Sequence, residues 1–430
     1  MASLGADTIY AVATPPGRSG VAVIRVSGPD AFSACRALAG DVPEAHRARV
    51  RTLREAGRVL DQALVLTFPQ GASFTGEDVV EFHTHGSIAV IRLVSDALSR
   101  MEGLRPADAG EFTGRALENE RLDLTRVEGL SDLLEAETAE QHRLAMATFG
   151  GDLSNQVSSW RERLVQAAAL IEASVDFSDE ELPEGLIEGA LSEVTALKEA
   201  IRSELDGVSA RERIRDGFEV AIVGAPNVGK STLLNRLAGR DAAITSSIAG
   251  TTRDVIEVRM DVDGLPVTFL DTAGLRDTDD EVERIGVARS RARAERADLR
   301  IFLGSESEGV ERRPGDVEAL GKADLASVFD SHALRVSGLT GQGVEELLSL
   351  VSNELGQRIA GTGLASRERH RRALEDGLVS LESAMTRSAA HIELIGEDLR
   401  NAAHALDCLL GRIGVEDLLD KIFSSFCIGK

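Results

Sequence analysis

Residues 218–237, FEVAIVGAPNVGKSTLLNRL, constrain what this chain can fold into more than any other stretch. A short apolar run at 220–223 enters the pattern G-x-x-x-x-G-K-S at 224–231, and Leu233, Leu234 and Leu237 then recur at helical spacing. The pattern predicts a strand, a phosphate loop and a helix. Gly224 and Gly229 let backbone N–H groups turn inward onto phosphate oxygens, and the helix N-terminus adds its positive dipole end. Candidate phosphate contacts are Asn227, Val228, Gly229, Lys230, Ser231 and Thr232, with Lys230 as a point charge and Ser231 as a Mg²⁺ ligand. A Gly-rich turn that merely happens to hold a lysine would not need a strand before it and a helix behind it.

Downstream lie GTTRD at 250–254, a predicted strand at 267–270, and DTAG at 271–274. Order and spacing fit a nucleotide switch. Thr252 closes on Mg²⁺ and the terminal phosphate, Asp271 stands behind the metal, and the Gly274 N–H meets the γ-phosphate. Leu275 occupies the place where a Ras-like enzyme carries its water-orienting glutamine, so another group must orient water; acidic residues at 279–283 are candidates, against the plainer reading of a solvated charge run. GTPases of this kind read guanine through N-K-x-D. The matching stretch here is GKAD, with Lys322 to lie over the base, Asp324 to accept from its N1–H and amino group, and Gly321 in place of the asparagine. After a short strand at 333–336, Ser337, Gly338 and Leu339 can offer backbone N–H groups near the guanine oxygen. Only about a dozen residues separate the predicted strands 299–303 and 317–320, about the minimum for a helical crossover, so that helix is expected to be reduced or lost.

The chain carries 71 acidic against 48 basic residues, a net charge of −23, so non-specific adhesion to nucleic acid or anionic lipid is not the default and any RNA contact needs a local basic patch or a partner. Cys35, Cys408 and Cys427 are odd in number and far apart, which implies neither a disulfide framework nor a metal cluster and suits a reducing cytoplasm. No leader pattern opens the chain and no window holds 18 uninterrupted apolar residues; a soluble cytoplasmic protein with no membrane partner is expected.

At the N-terminus, two apolar runs joined by Pro15-Pro16-Gly17 predict a hairpin or strand pair. Arg25 lies inside the second run, either as an exposed edge residue or beside an anionic partner. Residues 60–68 and 79–82 read as strands, and His83 and His85 share one strand face as ordinary hydrogen-bonded histidines rather than a metal pair. Long amphipathic helices follow at 125–149, 153–175 and 187–208, with Trp160 as a core residue, and the helical pattern returns from about 366 to 406 and at 415–426. Helices on both sides of an inserted nucleotide domain most simply pack as one bundle. Cys427 reads as a small buried residue, since nothing near it in sequence activates a thiol.

Taken together, ATPPGRSGVAVIRVSGP, SFTGEDVVEFHTHGS, AGEFTGRALENERLDL, GAPNVGKSTLLN, GTTRD, DTAGLR and the closing FCIGK resemble, in the same order, the MnmE (TrmE) family of tRNA modification GTPases over nearly the whole chain. The resemblance implies an α/β and α architecture. An N-terminal α/β folate-binding and dimerisation domain would span 1–118, an all-α helical bundle 119–214 and 363–430, and an inserted Ras-like P-loop G domain 215–362. It implies a homodimer that binds GTP, Mg²⁺, K⁺ and a formyl- or methylene-tetrahydrofolate. With an FAD-dependent MnmG-type flavoprotein, in a heterotetramer, it would add an aminomethyl-type group to C5 of the wobble uridine of tRNA. The family's folate contacts fall on Arg25, Glu81, Arg121 and Lys430; lysine is common at 121, and arginine keeps the charge while changing its shape. The K⁺ ligands map to Asn227, the carbonyls of Ser246 and Ile248, and Thr251, and the water-orienting acid maps to Glu283. The K⁺ takes the place of an arginine finger. The competing expectations are a regulatory GTP-binding assembly factor without one-carbon chemistry and, on account of Gly321, a structural scaffold that binds nucleotide poorly.

Overall fold

The computed structural model describes residues 7–176, 185–240, 242–244, 257–271, 291–325, 334–359, 363–387 and 391–413, with Ile422, Phe426 and Gly429. The chain divides into two compact units, residues 1–131 with 410–430, and residues 132–409.

In the first unit, β1 (Thr8–Val12), β2 (Ser19–Ser27), β3 (Arg49–Glu55), β4 (Arg58–Phe68), β5 (Val79–Gly86) and β6 (Leu104–Pro106) form one sheet in the order β3-β4-β5-β2-β1-β6. All neighbours are antiparallel except β1 with β6. The strand pair expected at the N-terminus is β1 against β2, with Ala11 opposite Arg25. Period-2 alternation sends Ile24 and Val26 into a core shared with α1 (Ala31–Ala39) and α2 (Ile88–Ser99). Arg25 is therefore no edge residue, because β2 runs between β5 and β1. Strand β3, RVRTLRE, does not stand out in the sequence: only Leu53 is buried, and the charges around it protect an open sheet edge. Cys35 lies in the core, and its burial, reinforced by the Asp41 carboxylate, pushes the thiol up to about 11.

Helix α3 (Glu111–Glu118) closes this unit over a buried ion network. Arg115, 1% exposed, pairs with Asp7 at 3.0 Å, Glu77 at 3.1 Å and Glu111 at 3.2 Å. Burial pushes the Glu111 carboxyl up, but bonds from Arg105, the Asp108 backbone and Arg115 outweigh it and hold the group below its ordinary value.

The helix expected over 125–149 is two helices, α4 (Leu124–Glu135) and α5 (Ala139–Gly150). Thr138 splits them: its hydroxyl accepts from Gln141 N, and the Gln141 amide oxygen accepts from Thr138 N. That is a capping box, readable in the sequence as T-x-x-Q. Beyond it run α6 (Asp152–Asp176) and α7 (Leu186–Asp216), the latter past its expected end at 208 until Gly217, at φ 100°, turns the chain into the next strand.

The second sheet holds β7 (Phe218–Val223), β8 (Glu257–Val262), β9 (Leu265–Asp271), β10 (Leu299–Leu303), β11 (Val317–Leu320) and β12 (Leu334–Arg335) in the order β12-β11-β10-β7-β9-β8, parallel except for β8. Helices α8 (Lys230–Ala238) and α9 (Val344–Ile359) belong to this domain, and α10 (Glu368–Thr386) and α11 (Ile392–Leu410) follow it. Helix α10, which follows the second sheet in the chain, packs along α7, which precedes it, joined by Arg371 to Glu212 at 2.6 Å. Glu204 of α7, 4% exposed, accepts from the backbone N–H groups of Leu364 and Ala365. The β8–β9 hairpin rests on α5, with Glu140 N donating to Gly264 O at 3.2 Å and Arg259 paired with Glu137 at 2.7 Å.

One face of the sheet is filled by Val220, Ile222, Ile301 and Leu303 with residues of α8 and α9. On the other face no helix joins β10 to β11, as the short connection predicts. The connection itself covers the sheet. Val310 packs with Ala221, Val223 and Phe302, the Arg312 guanidinium lies 4.8 Å over the Phe302 ring, and the buried Arg300 pairs with Asp316 at 2.8 Å.

Candidate functional site

Strand β7 is buried along most of its length and ends at Gly224, whose φ of 152° and closeness to the Leu303 carbonyl exclude a side chain. The loop turns through Asn227 at φ 64°, which leaves that side chain exposed, and enters α8 through Gly229 at φ 113°. Lys230, 7% exposed, donates from Nζ to the carbonyl oxygens of Gly224 and, at 3.1 Å, of Ala225. Its ammonium is thus held over the loop at the positive end of a helix, where anionic phosphate oxygens are attracted. One residue on, Ser231 Oγ donates to Asp271 Oδ2 at 2.7 Å, and Asp271 is 4% exposed at the end of β9. Two oxygens on neighbouring elements, one hydroxyl and one carboxylate, make a donor set suited to a hard cation such as Mg²⁺.

Beside the loop is a cavity of about 320 Å³, lined among others by Gly229, Thr232, Gly321, Lys322, Asp324 and Gly338. Lys322 takes φ 58°, and residues 323–325 form a single 3₁₀ turn that presents Asp324. Ser337 Oγ donates to Asp324 Oδ1 at 2.5 Å, which holds the carboxylate while both of its oxygens keep lone pairs for a ligand. Gly338 lies against the backbone of Thr232 and Leu233, too close for a Cβ, while Leu339 is 71% exposed. The predicted phosphate and base segments therefore meet at one cavity. The Ser337 to Asp324 bond was not legible beforehand; both residues were candidates, but for contact with the base through backbone and carboxylate.

In the other unit, Arg25 and Glu81 stand opposite each other on β2 and β5 and pair at 2.9 Å, with side chains 22% and 16% exposed. The Arg25 guanidinium is 5.7 Å from the Phe112 ring centre and also donates to the Gly429 carbonyl at 3.4 Å. Gly429, at φ 100°, lies against the Val12 carbonyl at the end of β1. Arg121 is exposed and its stem lies on the turn at Gly76. His83 Nε2 is 3.2 Å from the second Glu81 oxygen, and His85 pairs with Asp61 at 2.8 Å. Phe112 is the member of this group that the sequence did not single out, although it lies in the stretch AGEFTGR. Thr252, Gly274, Glu283, Ser246, Ile248, Thr251, Cys427 and Lys430 lie outside the described residues. Among the described residues no helix is long and apolar enough to cross a membrane.

Two family models match: "GTP-binding protein TrmE N-terminus" over residues 8–121 and "MnmE helical domain" over 124–427. A protein of Cereibacter sphaeroides named tRNA modification GTPase MnmE is 54% identical over 430 residues, covering 99% of this chain and all of its own. One of the same name from Dinoroseobacter shibae is 53% identical over the same shares. Among solved structures, Aquifex aeolicus Era bound to GDP and AlF4⁻ is 26% identical over 40% of this chain and 68% of its own, at a TM-score of 0.26, too low to add to the sheet order itself.

Proposed function

The chain belongs to the MnmE (TrmE) family of tRNA modification GTPases, and from that premise we propose that its GTP hydrolysis drives one-carbon chemistry on tRNA. The reaction attaches an aminomethyl-type group, derived from a formyl- or methylene-tetrahydrofolate, to C5 of the wobble uridine. The working form is a cytoplasmic homodimer joined to an FAD-dependent flavoprotein of the MnmG type.

The observation that carries the nucleotide half is Ser231 bonded to Asp271 at the mouth of the phosphate loop. Ser231 would be the residue that ligates Mg²⁺ and Asp271 the acid that supports it; when bound, the metal would neutralise charge on the phosphates. Lys230 leaves its loop carbonyls for the phosphate oxygens. Thr252 and Gly274 close on the terminal phosphate, and Glu283 orients the attacking water. Asn227, Thr251 and the carbonyls of Ser246 and Ile248 would hold K⁺, which would supply the charge an arginine finger supplies elsewhere. Guanine lies in the 320 Å³ cavity, between Lys322 and the Ser337–Gly338–Leu339 backbone, with its donor edge on Asp324.

The test is hydrolysis of GTP by the full chain in matched K⁺ and Na⁺ buffers with ATP as competitor. The expected result is a rate well above the Na⁺ value in K⁺, by at least about tenfold if the ion replaces an arginine finger, and no inhibition by ATP. Equal rates in both salts would remove K⁺ from the mechanism, and absence of turnover would favour the scaffold reading.

Support for the folate half comes from the Arg25 and Glu81 pair, a half-buried cation and carboxylate beside an aromatic ring and the Gly429 carbonyl. Arg25, Glu81, Arg121 and Lys430 are the folate contacts, and Glu81, held by Arg25, can accept from the ring donors of a folate. Arg25→Ala is expected to weaken tetrahydrofolate binding by about tenfold or more, the loss of one charged hydrogen bond, measured by calorimetry. Unchanged affinity would favour a regulatory assembly factor, which has no use for this pair.

A further inference from the structure

Val228, at the tip of the phosphate loop, sits in a socket made by three glycines. A Cβ built on Gly224 would be 3.3 Å from its side chain, one on Gly304 3.7 Å, and one on Gly321 3.6 Å. These glycines follow β7, β10 and β11, three adjacent strands of the sheet, so one apolar side chain caps three strand ends. The glycines are not equivalent. Gly224 and Gly304 have φ values of 152° and 95°, a backbone that favours glycine whatever the space around it. Gly321 is outside that region; its backbone accepts any residue. What excludes a side chain at 321 is distance, because its Cβ would fall well within 3.0 Å of the Val228 carbonyl oxygen.

We propose that Gly321 is a positioning residue for base recognition: its missing side chain lets the segment 322–324 close directly onto the phosphate loop, backbone against backbone. The glycine thereby replaces the usual asparagine instead of marking its loss. The inference rests on the assignment of the 320 Å³ cavity to guanine. A side chain at 321 must displace one of the two backbones. Val228 is gripped by three strand ends and its N–H is bonded to Ala225 O, whereas 322–324 is a single turn tied to the next strand's end through Ala323 N to Val336 O and through the Asp324 side chain to Ser337. The turn yields, and Lys322 and Asp324 move away from the cavity.

Restoring the asparagine is therefore expected to harm the site. Gly321→Asn and the milder Gly321→Ala are compared with the parent chain using fluorescent GDP, competing GTP and competing inorganic tripolyphosphate, with circular dichroism as the check on folding. GDP and GTP affinity should fall about tenfold in the asparagine variant, as expected for overpacking a close contact, and the alanine variant, which carries the same Cβ, should fall in the same direction. Tripolyphosphate, which reaches only the phosphate loop, should compete as it does in the parent. KM for GTP should rise with kcat retained. Tighter or equal GDP binding by either variant overturns the proposal, and so does an equal loss for tripolyphosphate, since the phosphate loop would then be what moved. If the asparagine variant does not fold, the alanine variant decides. The cavity's assignment is tested apart from this: unaltered base preference in Asp324→Asn would sink it, whereas tight GDP binding by Gly321→Asn would not.

Discussion

Asp316→Ala unfolds the nucleotide-binding sheet more readily than any surface substitution in that domain, by about 3–5 kcal/mol, the cost of leaving one member of a buried ion pair alone. Arg300 and Asp316 keep 2% and 4% of their side chains exposed, so neither charge can return to water without opening the sheet. The carboxylate accepts from Arg300 Nε at 2.9 Å, from the Arg300 backbone N–H, and from Arg313 N at 2.7 Å. Alanine therefore strands a buried guanidinium and the Arg300 backbone N–H, and frees the exposed Arg313 N–H that ties down the connection. The connection from β10 to β11 has no helix to hold it, and Asp316 is the residue that pins its end. Replacing both members by leucine should cost far less, because no charge is then left unpaired. Hydrogen exchange of the β10 and β11 amides is the measurement, since the two compact units need not unfold together. Exchange accelerated by no more than the equivalent of about 1 kcal/mol would put the pair with surface salt bridges.

Asp324→Asn reverses the base preference of the cavity from guanine to xanthine. Guanine offers two donors, N1–H and the 2-amino group, to a carboxylate; an amide can accept from only one, and its NH₂ then faces the other. Xanthine carries a carbonyl oxygen where guanine has the amino group, and the amide NH₂ donates to it. A site built around buried hydrogen bonds rejects the analogue that leaves them unmade by factors on the order of 10³ or more. Ser337 already uses one Asp324 oxygen, so the carboxylate is held in place and cannot swing to compensate. Hydrolysis rates at limiting GTP and limiting XTP measure the reversal. A variant that keeps the parent's preference for GTP would show that Asp324 does not read the base.

Local chemistry made much of this legible in advance. The phosphate loop announces itself because glycine, lysine and serine must stand at fixed offsets between a strand and a helix, and the chain folds them that way from Phe218 to Ala238. The missing crossover helix was legible from chain length alone. The break at Thr138 is written in its capping box too, but the apolar period runs on past it and masks it. Strand β3 escaped because its alternation carries charge in place of apolar residues.

By itself, then, the sequence determined the strand, loop and helix at 218–238, the absence of a crossover helix after β10, and the residue types at the phosphate loop, since each is written in neighbouring residues, a period or a length along the chain. Only the tertiary structure decided that Arg25 faces Glu81 inside a sheet, that Val310 and Asp316 do the work of a lost helix, and that Gly321 is small for lack of room at Val228 and not for its backbone angle. Arg25 with Glu81, Val310 with Ala221 and Gly321 with Val228 are contacts between residues far apart in the chain. No local pattern encodes such a contact; it exists only once the sheet order has brought the strand ends together.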